Sequence, residues 1–137
     1  MSMSIIIPAK NEAQVILYTI KKIIKKFKKL NYEIIVINDF STDDTLKKIK
    51  KLKNSKVRIY NNISPGLGSA IRLAIKKVRK KYFTIFMSDS ADDTQNLKEY
   101  YELSLINKYD GIFGSRFIKG GITKNYPKKK LFLNRLA

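Results

Sequence analysis

The chain has 137 residues, the size of one domain, and 44% of them are hydrophobic, which excludes a disordered protein. It has no cysteine, which excludes disulfides and thiolate metal sites. Its 29 basic residues against 11 acidic ones give a net charge of +18, which favours anionic partners unless the lysines merely form solvated faces.

Strands and helices alternate along the chain. Ser4–Pro8 is a β-branched run that predicts a buried strand, and a helix is predicted from about Asn11 to Leu30, apolar on one side and carrying six lysines on the other. Further strands are predicted at Glu33–Asn38, Val57–Tyr60, Tyr82–Met87 and Asp110–Gly114, and further helices at about Asp43–Leu52, Ser69–Lys80 and Gln95–Ile106. This alternation predicts a single α/β domain over residues 1–137, with a mostly parallel sheet and helices on both faces.

The acidic residues are concentrated where a ligand site is expected. In such a sheet, ligands bind beyond the carboxyl ends of the strands. Six of the eleven acidic residues lie in two of the loops at those ends, the loops 38–44 and 88–93. In so basic a chain this concentration predicts a metal or sugar ligand, with capping of the following helices as the alternative.

The segment Ile35–Thr45, IVINDFSTDDT, carries the first of these clusters. Asp39 follows a buried strand, where a carboxylate is suited to accept hydrogen bonds from a ribose or a base. The alternative is that Asp39 only caps the turn that follows.

The segment Phe86–Asp93, FMSDSADD, carries the second cluster. Carboxylates at a strand end suit a hard divalent cation, Mg²⁺ or Mn²⁺, which bridges the phosphates of a nucleotide-sugar and offsets charge on the leaving diphosphate. The alternative is that Asp92 and Asp93 cap the following helix.

Two further segments favour binding of an anion. Ser64–Arg72, SPGLGSAIR, is a glycine turn that enters a helix and lacks the ending of a Walker A loop. Its alternative role is close packing of helix on sheet. Arg116, in GSRF just past the fifth predicted strand, is placed to pair with a pyrophosphate.

Together these segments resemble family 2 glycosyltransferases with the Rossmann-like GT-A fold, and most of all the branch that includes dolichol-phosphate mannose synthases. The segments SIIIPAKNE, IVINDFSTDDT, SPGLGSAIR, FMSDSADD and GSRF occur in the family's order and cover nearly all of the chain. Each is weak alone, whereas five in the right order and spacing are specific.

The resemblance implies a role for individual residues. Asp89 matches the last aspartate of the family's Asp-x-Asp metal motif, and with Arg116 it is expected to take part in catalysis. Mg²⁺ or Mn²⁺ is then expected at Asp89 with Asp92 or Asp93. The residues expected to bind the nucleotide-sugar are Pro8, Ala9, Glu12, Asp39, Gly68, Asp89 and Arg116.

The chain departs from the family pattern in three places. Met87 stands at the usual first aspartate of the metal motif, and Asn38-Asp39 stands for paired aspartates. Family domains commonly continue past the GSRF segment, whereas this sequence ends at Ala137. We therefore expect a domain that is incomplete at its C-terminus, a fragment or one half of a split enzyme.

The resemblance implies inverting, metal-dependent transfer of a hexose from GDP-mannose or UDP-glucose to a polyprenyl or dolichyl phosphate, or to a glycan. Two other interpretations stay open: a catalytically incomplete nucleotide-sugar-binding module, and a nucleic-acid-binding module. The second is not expected, because the aromatic residues lie mostly in strands and helices rather than along a basic stripe. No signal peptide or membrane span is predicted, which indicates a cytoplasmic chain whose basic first helix is either solvated or lies against an anionic membrane.

Overall fold

The computed structural model describes residues 2–88, 92–106 and 109–114. Four strands alternate with four helices in this part of the chain: β1 (Met3–Ala9), α1 (Ile16–Lys26), β2 (Tyr32–Asn38), α2 (Thr45–Lys51), β3 (Val57–Asn61), α3 (Leu67–Ile75), β4 (Tyr82–Ile85) and α4 (Thr94–Ser104). None of these described helices combines the length and apolar character that crossing a bilayer requires.

The four strands form one sheet in the order β3-β2-β1-β4, and every pair is parallel. Every residue of β1 and β2 is buried, which explains why these strands read as continuous apolar runs rather than as alternating patterns. The predicted parallel α/β fold is confirmed.

Helices cover both faces of the sheet. On one face Ile5, Ile7, Ile34 and Val36 share a core with the buried sides of α1, α2 and α4. On the other face Ile6, Ile35 and Ile37 pack with Ala70 and Ala74 of α3. The two small alanine side chains let α3 lie close to the sheet.

The first helix is shorter than its periodicity predicts, because loop contacts take the backbone groups before it. Asn11 has a left-handed φ of 56°, which a continuous helix excludes. The N–H of Glu12 donates to Thr45 Oγ1 at 2.8 Å, and that of Ala13 donates to Asp43 Oδ2 at 3.1 Å. The helix therefore begins at Ile16, five residues after its predicted start.

The predicted fifth strand, Asp110–Gly114, is not found, since residues 109–114 have no strand structure. Phe113 is 93% exposed, and Gly114 lies against the Tyr100 hydroxyl of α4. A strand needs a neighbouring ladder and a packed face, and this segment contacts α4 instead. Within the described residues, β4 is thus an edge of the sheet.

An ion pair between the buried Glu33 and the half-buried Arg58 fixes the end of the sheet opposite the carboxyl ends of the strands. Glu33 is 6% exposed and accepts hydrogen bonds from Ser4 Oγ (2.6 Å), Arg58 Nη1 (2.8 Å) and the N–H of Arg79 (2.9 Å). Burial by itself would raise the pKa of Glu33, but these hydrogen bonds and the charge of Arg58 lower it below its ordinary value. The pair joins β1, β2 and β3 to the segment that follows α3.

Candidate functional site

Three of the predicted site loops lie side by side at the carboxyl edge of the sheet. The N–H of Asp39 donates to the carbonyl of Ala9 at 2.8 Å, and that of Asn62 donates to the carbonyl of Asn38 at 2.9 Å. These bonds continue the ladder one residue beyond the strands. The loops after β1, β2 and β3 are therefore held in register, at the edge where parallel sheets bind ligands.

Asp39 joins two of these loops. Its side chain is 5% exposed, and Oδ1 accepts from Asn62 Nδ2 at 2.7 Å. The N–H of Gly66 donates to both carboxylate oxygens, at 3.0 and 3.1 Å. A carboxylate has about four acceptor positions, so these contacts leave capacity for a further donor. Asp39 holds the glycine loop after β3 against the end of β2, and its predicted contact with a nucleoside stays a prediction.

Asn62 is a polar residue of this edge that the sequence reasoning missed. It is 7% exposed, and its Oδ1 accepts from Ser69 Oγ at 2.9 Å and from the N–H of Ile63 at 3.0 Å. Its amide therefore joins Asp39 to the first turn of α3. The available signal was an asparagine directly after a strand and before a glycine turn.

The glycine loop enters α3 through a conformation that requires glycine. Gly66, the N-cap of α3, has φ 113° and ψ 149°, which residues with a Cβ rarely adopt. Gly68 lies exposed in the first turn, and a Cβ added there would stand 3.3 Å from Arg72 Nη1. The guanidinium of Arg72, which the sequence reasoning did not select, thus lies over the predicted ligand residue Gly68.

The loop after β1 is fastened to the loop after β2. Asn11 Oδ1 accepts from the N–H of Thr42 at 2.8 Å, beside the bonds that Glu12 and Ala13 make to Thr45 and Asp43. The Thr45 hydroxyl, with backbone N–H groups including that of Ala13, lowers the pKa of Asp43 below its ordinary value. Asp43 is therefore an anion that organises the loop.

The predicted nucleoside-binding residues of β1 and of the loop after it differ in exposure. Pro8 and Ala9 end the buried strand β1, whereas Glu12 is half-buried in the loop. Only Glu12 of the three offers a side-chain hydrogen-bonding group to a ligand.

Asn38 carries an unsatisfied acceptor at the same edge. It is 7% exposed and donates through Nδ2 to Asn61 Oδ1 at 3.0 Å. Its Oδ1 is buried and has no hydrogen-bond partner within the described residues. An unsatisfied buried carbonyl costs about 1–3 kcal/mol, so this atom is a candidate contact for a donor group of a ligand.

The acidic loop after β4 is only partly described. Asp92 Oδ2 accepts from the N–H of Met87 at 2.8 Å, and Asp93 is the N-cap of α4, accepting from the N–H of Gln95 at 3.0 Å. Asp89 and Arg116 lie outside the described residues, and in the part that is described no three acidic side chains form a group able to hold a metal. The metal roles of Asp89, Asp92 and Asp93 stay predictions.

A groove of about 870 Å³ lies beside β4 and α4. Of the predicted site residues, Asp92 and Asp93 line it, together with Phe86, Tyr100 and Phe113. The groove follows the outer side of β4 and does not extend over Asp39. The other polar residues of the carboxyl edge, which the loops bring together, lie outside this groove.

Comparison with known proteins identifies relatives along the whole chain. The family model described as Glycosyl transferase family 2 matches residues 4–136. The chain is 30% identical over 139 residues to the dolichol-phosphate mannosyltransferase of Pyrococcus furiosus, covering all of this chain and 39% of that protein. It is 26% identical over 147 residues to the poly(ribitol-phosphate) beta-N-acetylglucosaminyltransferase TarS of Staphylococcus aureus, covering 99% of this chain and 26% of TarS.

Solved structures share the fold. Crystallised TarS 1–349 from S. aureus with UDP-GlcNAc matches with a TM-score of 0.68 at 20% identity, over 87% of this chain and 39% of that one. Glucosyl-3-phosphoglycerate synthase of Mycobacterium tuberculosis, in complex with Mn²⁺, UDP and phosphoglyceric acid, matches with a TM-score of 0.56 at 26% identity, over 64% and 33% of the two chains. The predicted GT-A fold is confirmed, and the chain spans less than half of each of these relatives.

Proposed function

Because the chain belongs to glycosyl transferase family 2, we propose that it binds a nucleotide-sugar at the carboxyl edge of its sheet and takes part in transferring the sugar to an acceptor. The observation that carries this proposal is the fastening of the loops after β1, β2 and β3 to one another around Asp39. The structures of two relatives hold UDP-GlcNAc and UDP, which supports a nucleoside diphosphate sugar as the donor class.

The polar groups of this edge are divided between nucleoside and diphosphate in our proposal. Asp39 accepts from the ribose or base through the capacity that Asn62 and Gly66 leave unused. The exposed guanidinium of Arg72 beside the first turn of α3, together with Arg116, supplies positive charge for the diphosphate. The other residues proposed to contact the nucleotide-sugar are Pro8, Ala9, Glu12 and Gly68.

The proposed donor is GDP-mannose or UDP-glucose. The proposed acceptor is a polyprenyl or dolichyl phosphate, and the similarity to the dolichol-phosphate mannosyltransferase of Pyrococcus furiosus supports this class. A glycan is the alternative acceptor class. A phosphate oxygen attacks C1 of the sugar opposite the leaving group, the bond from C1 to the diphosphate oxygen breaks, and its electron pair leaves with the nucleoside diphosphate. Attack from that side inverts the anomeric centre. A phosphate monoester has a second pKa of about 6, so this acceptor needs no general base, which fits a chain without histidine.

A divalent cation, Mg²⁺ or Mn²⁺, is part of the proposal. Carboxylate oxygens are the ligands these ions prefer, and the Mycobacterium relative was crystallised with Mn²⁺. Asp92 and Asp93 each already accept a backbone N–H, so we assign the principal ligand to Asp89, with one of these two carboxylates as its partner. When bound, such an ion stabilises negative charge on the departing diphosphate.

A polyprenyl phosphate is held in a lipid bilayer by its hydrocarbon chain. The proposal therefore includes a peripheral contact of this chain with the cytoplasmic face of an anionic membrane.

Calorimetric titration with GDP, UDP, GDP-mannose and UDP-glucose, each with and without Mn²⁺, tests the donor site. We expect Mn²⁺-dependent binding of the nucleotides of one base, followed by transfer to a polyprenyl phosphate. Binding without transfer would instead support a nucleotide-sugar-binding module. No binding of any of the four by the folded chain would refute the proposal.

The metal assignment has its own test. Asp89→Ala should abolish the Mn²⁺-dependent part of binding, whereas Glu99→Ala, which removes an exposed carboxylate of α4, should leave it unchanged. Full Mn²⁺ dependence in folded Asp89→Ala protein would exclude Asp89 as the metal ligand.

A further inference from the structure

The outer side of α1 and α2 is a surface of lysines, here called the basic face. Five of its lysines lie on α1 and the turn after it, and three lie on α2, all of them exposed. They are Lys21, Lys22, Lys25, Lys28, Lys29, Lys47, Lys50 and Lys51.

The tertiary structure joins these lysines into one surface. Both helices lie on the same face of the sheet and pack against each other, with their buried sides in one core. Lys48 Nζ also donates to the carbonyl of Ala13 at 2.8 Å, which ties α2 to the segment before α1. Because the apolar sides face the sheet, the lysines of both helices face outward together.

Few acidic side chains neutralise the lysines of the basic face among the described residues. Among the described residues its ion pair is Asp44 with Lys47 at 3.7 Å, and both side chains are about two-thirds exposed. Asp43 already accepts bonds from Thr45 and Ala13. The exposed lysines therefore repel one another, and an external anion would relieve that repulsion.

The next helix in the same layer has a different charge pattern. On α4, Lys98 pairs with Glu102 at 3.1 Å, and Glu99 adds another exposed carboxylate. Among the helices described on this side of the sheet, the uncompensated charge thus lies on α1 and α2 and not on α4.

We propose that the basic face docks the chain on the surface of an anionic lipid bilayer. Each lysine near an anionic leaflet adds roughly a five-fold factor in affinity, so a group of this size provides peripheral binding without a membrane span. Tyr18, 64% exposed at the outer side of α1 near Lys22 and Lys25, adds an aromatic ring of the kind enriched at bilayer interfaces. The choice of a bilayer rests on the proposed function, because the proposed acceptor is a lipid phosphate.

Co-sedimentation of the full chain with lipid vesicles tests this docking. We expect binding to phosphatidylcholine vesicles that contain about one third phosphatidylglycerol, and none to phosphatidylcholine alone. Binding should be lost at about 1 M NaCl, where the Debye length falls to about 3 Å. Binding that does not depend on the anionic lipid, or that does not weaken with added salt, would overturn the proposal. This experiment uses the unaltered chain alone.

A charge-matched pair of variants locates the surface. The test variant replaces Lys21, Lys25, Lys28 and Lys50 with glutamine. The control replaces Lys76, Lys77, Lys80 and Lys81 with glutamine, which removes the same charge from the segment that joins α3, the helix on the other face of the sheet, to β4. Circular dichroism checks that both variants fold.

We expect the test variant to bind the anionic vesicles about 100-fold more weakly or worse, and the control to stay within about three-fold of the unaltered chain. Equal losses in both variants would show that net charge, not this face, governs binding and would overturn the proposal. So would tighter binding of the unaltered chain to duplex DNA or RNA than to the vesicles at the same salt. Nucleotide titration of the test variant separates the two proposals, because its donor site should be intact.

Discussion

The contact between Asp39 and the glycine loop gives a measurable prediction about the candidate site. Asp39→Ala removes a carboxylate that is 5% exposed and leaves Asn62 Nδ2 and the N–H of Gly66 without their main acceptor. Hydrogen bonds to charged groups contribute about 1.5–3 kcal/mol each, and Asn62 Nδ2 keeps a 3.3 Å contact with the Gly66 carbonyl. We therefore expect the free energy of unfolding to fall by about 2–4 kcal/mol.

A second substitution separates loop support from ligand contact. Asp39→Asn keeps one acceptor oxygen, so we expect a loss of only about 1–2 kcal/mol in stability. If the Asp39 carboxylate contacts the nucleoside, this variant should still lose about ten-fold or more in nucleotide affinity. Asn62→Ala is the matched control, because it loosens the same loop and keeps the carboxylate, and its affinity should fall less.

Urea unfolding followed by circular dichroism measures the first quantity, and calorimetric titration with the bound nucleotide measures the second. A loss below about 0.5 kcal/mol in Asp39→Ala would refute the inference that this carboxylate holds the loop. An equal loss of affinity in Asp39→Asn and Asn62→Ala would show that the nucleotide depends on the loop and not on the charge of Asp39.

Three further predictions concern the framework of the site. Glu33→Ala should lower the free energy of unfolding, measured with urea, by about 3–5 kcal/mol, because Arg58 loses its buried partner. The control Glu99→Ala removes an exposed carboxylate and should change this free energy by no more than about 0.5 kcal/mol. Similar losses in the two variants would contradict the prediction. The pKa of Glu33 is lowered by folding, so its stabilisation is present above about pH 4.3 and is lost as the pH falls through the folded value. The stability difference between the unaltered chain and Glu33→Ala should therefore shrink below about pH 4, and a constant difference would exclude this linkage. Gly66→Ala should lower the free energy of unfolding by about 1–3 kcal/mol, because alanine is strained at a φ of 113°. Gly68→Ala should lower it less, because the added Cβ meets only the movable side chain of Arg72. If thermal unfolding shows Gly68→Ala to be the less stable variant, this interpretation is refuted.

The site could be predicted from sequence as a set of loops, but not as a set of contacts. The segments around Asp39 and Gly66 both follow strands of a sheet predicted to be parallel, so their common edge follows from the sequence, and the structure brings them within hydrogen-bond distance. Asn62 was missed because its importance depends on bonds to Asp39 and Ser69, which only strand order creates. The sequence predicts capping of α4 by Asp93 as the alternative to a metal role, and the cap is present.

The sequence by itself determined the alternation of elements, the burial of the central strands and the family. Isoleucine-rich runs and helical spacing are local patterns, and five short segments in a fixed order suffice for a resemblance. Element ends were less well predicted, because the start of α1 depends on the bonds of Glu12 and Ala13 to a loop about 30 residues further along the chain.

Only the tertiary structure decided which loops become neighbours, what holds them, and where the charges collect. The strand order β3-β2-β1-β4 sets Glu33 beside Ser4 and Arg58, fastens the glycine loop to Asp39, and places the lysines of α1 and α2 on one surface. The predicted strand at Asp110–Gly114 is absent because a strand requires a partner and a packed face, and neither is a property of its own residues.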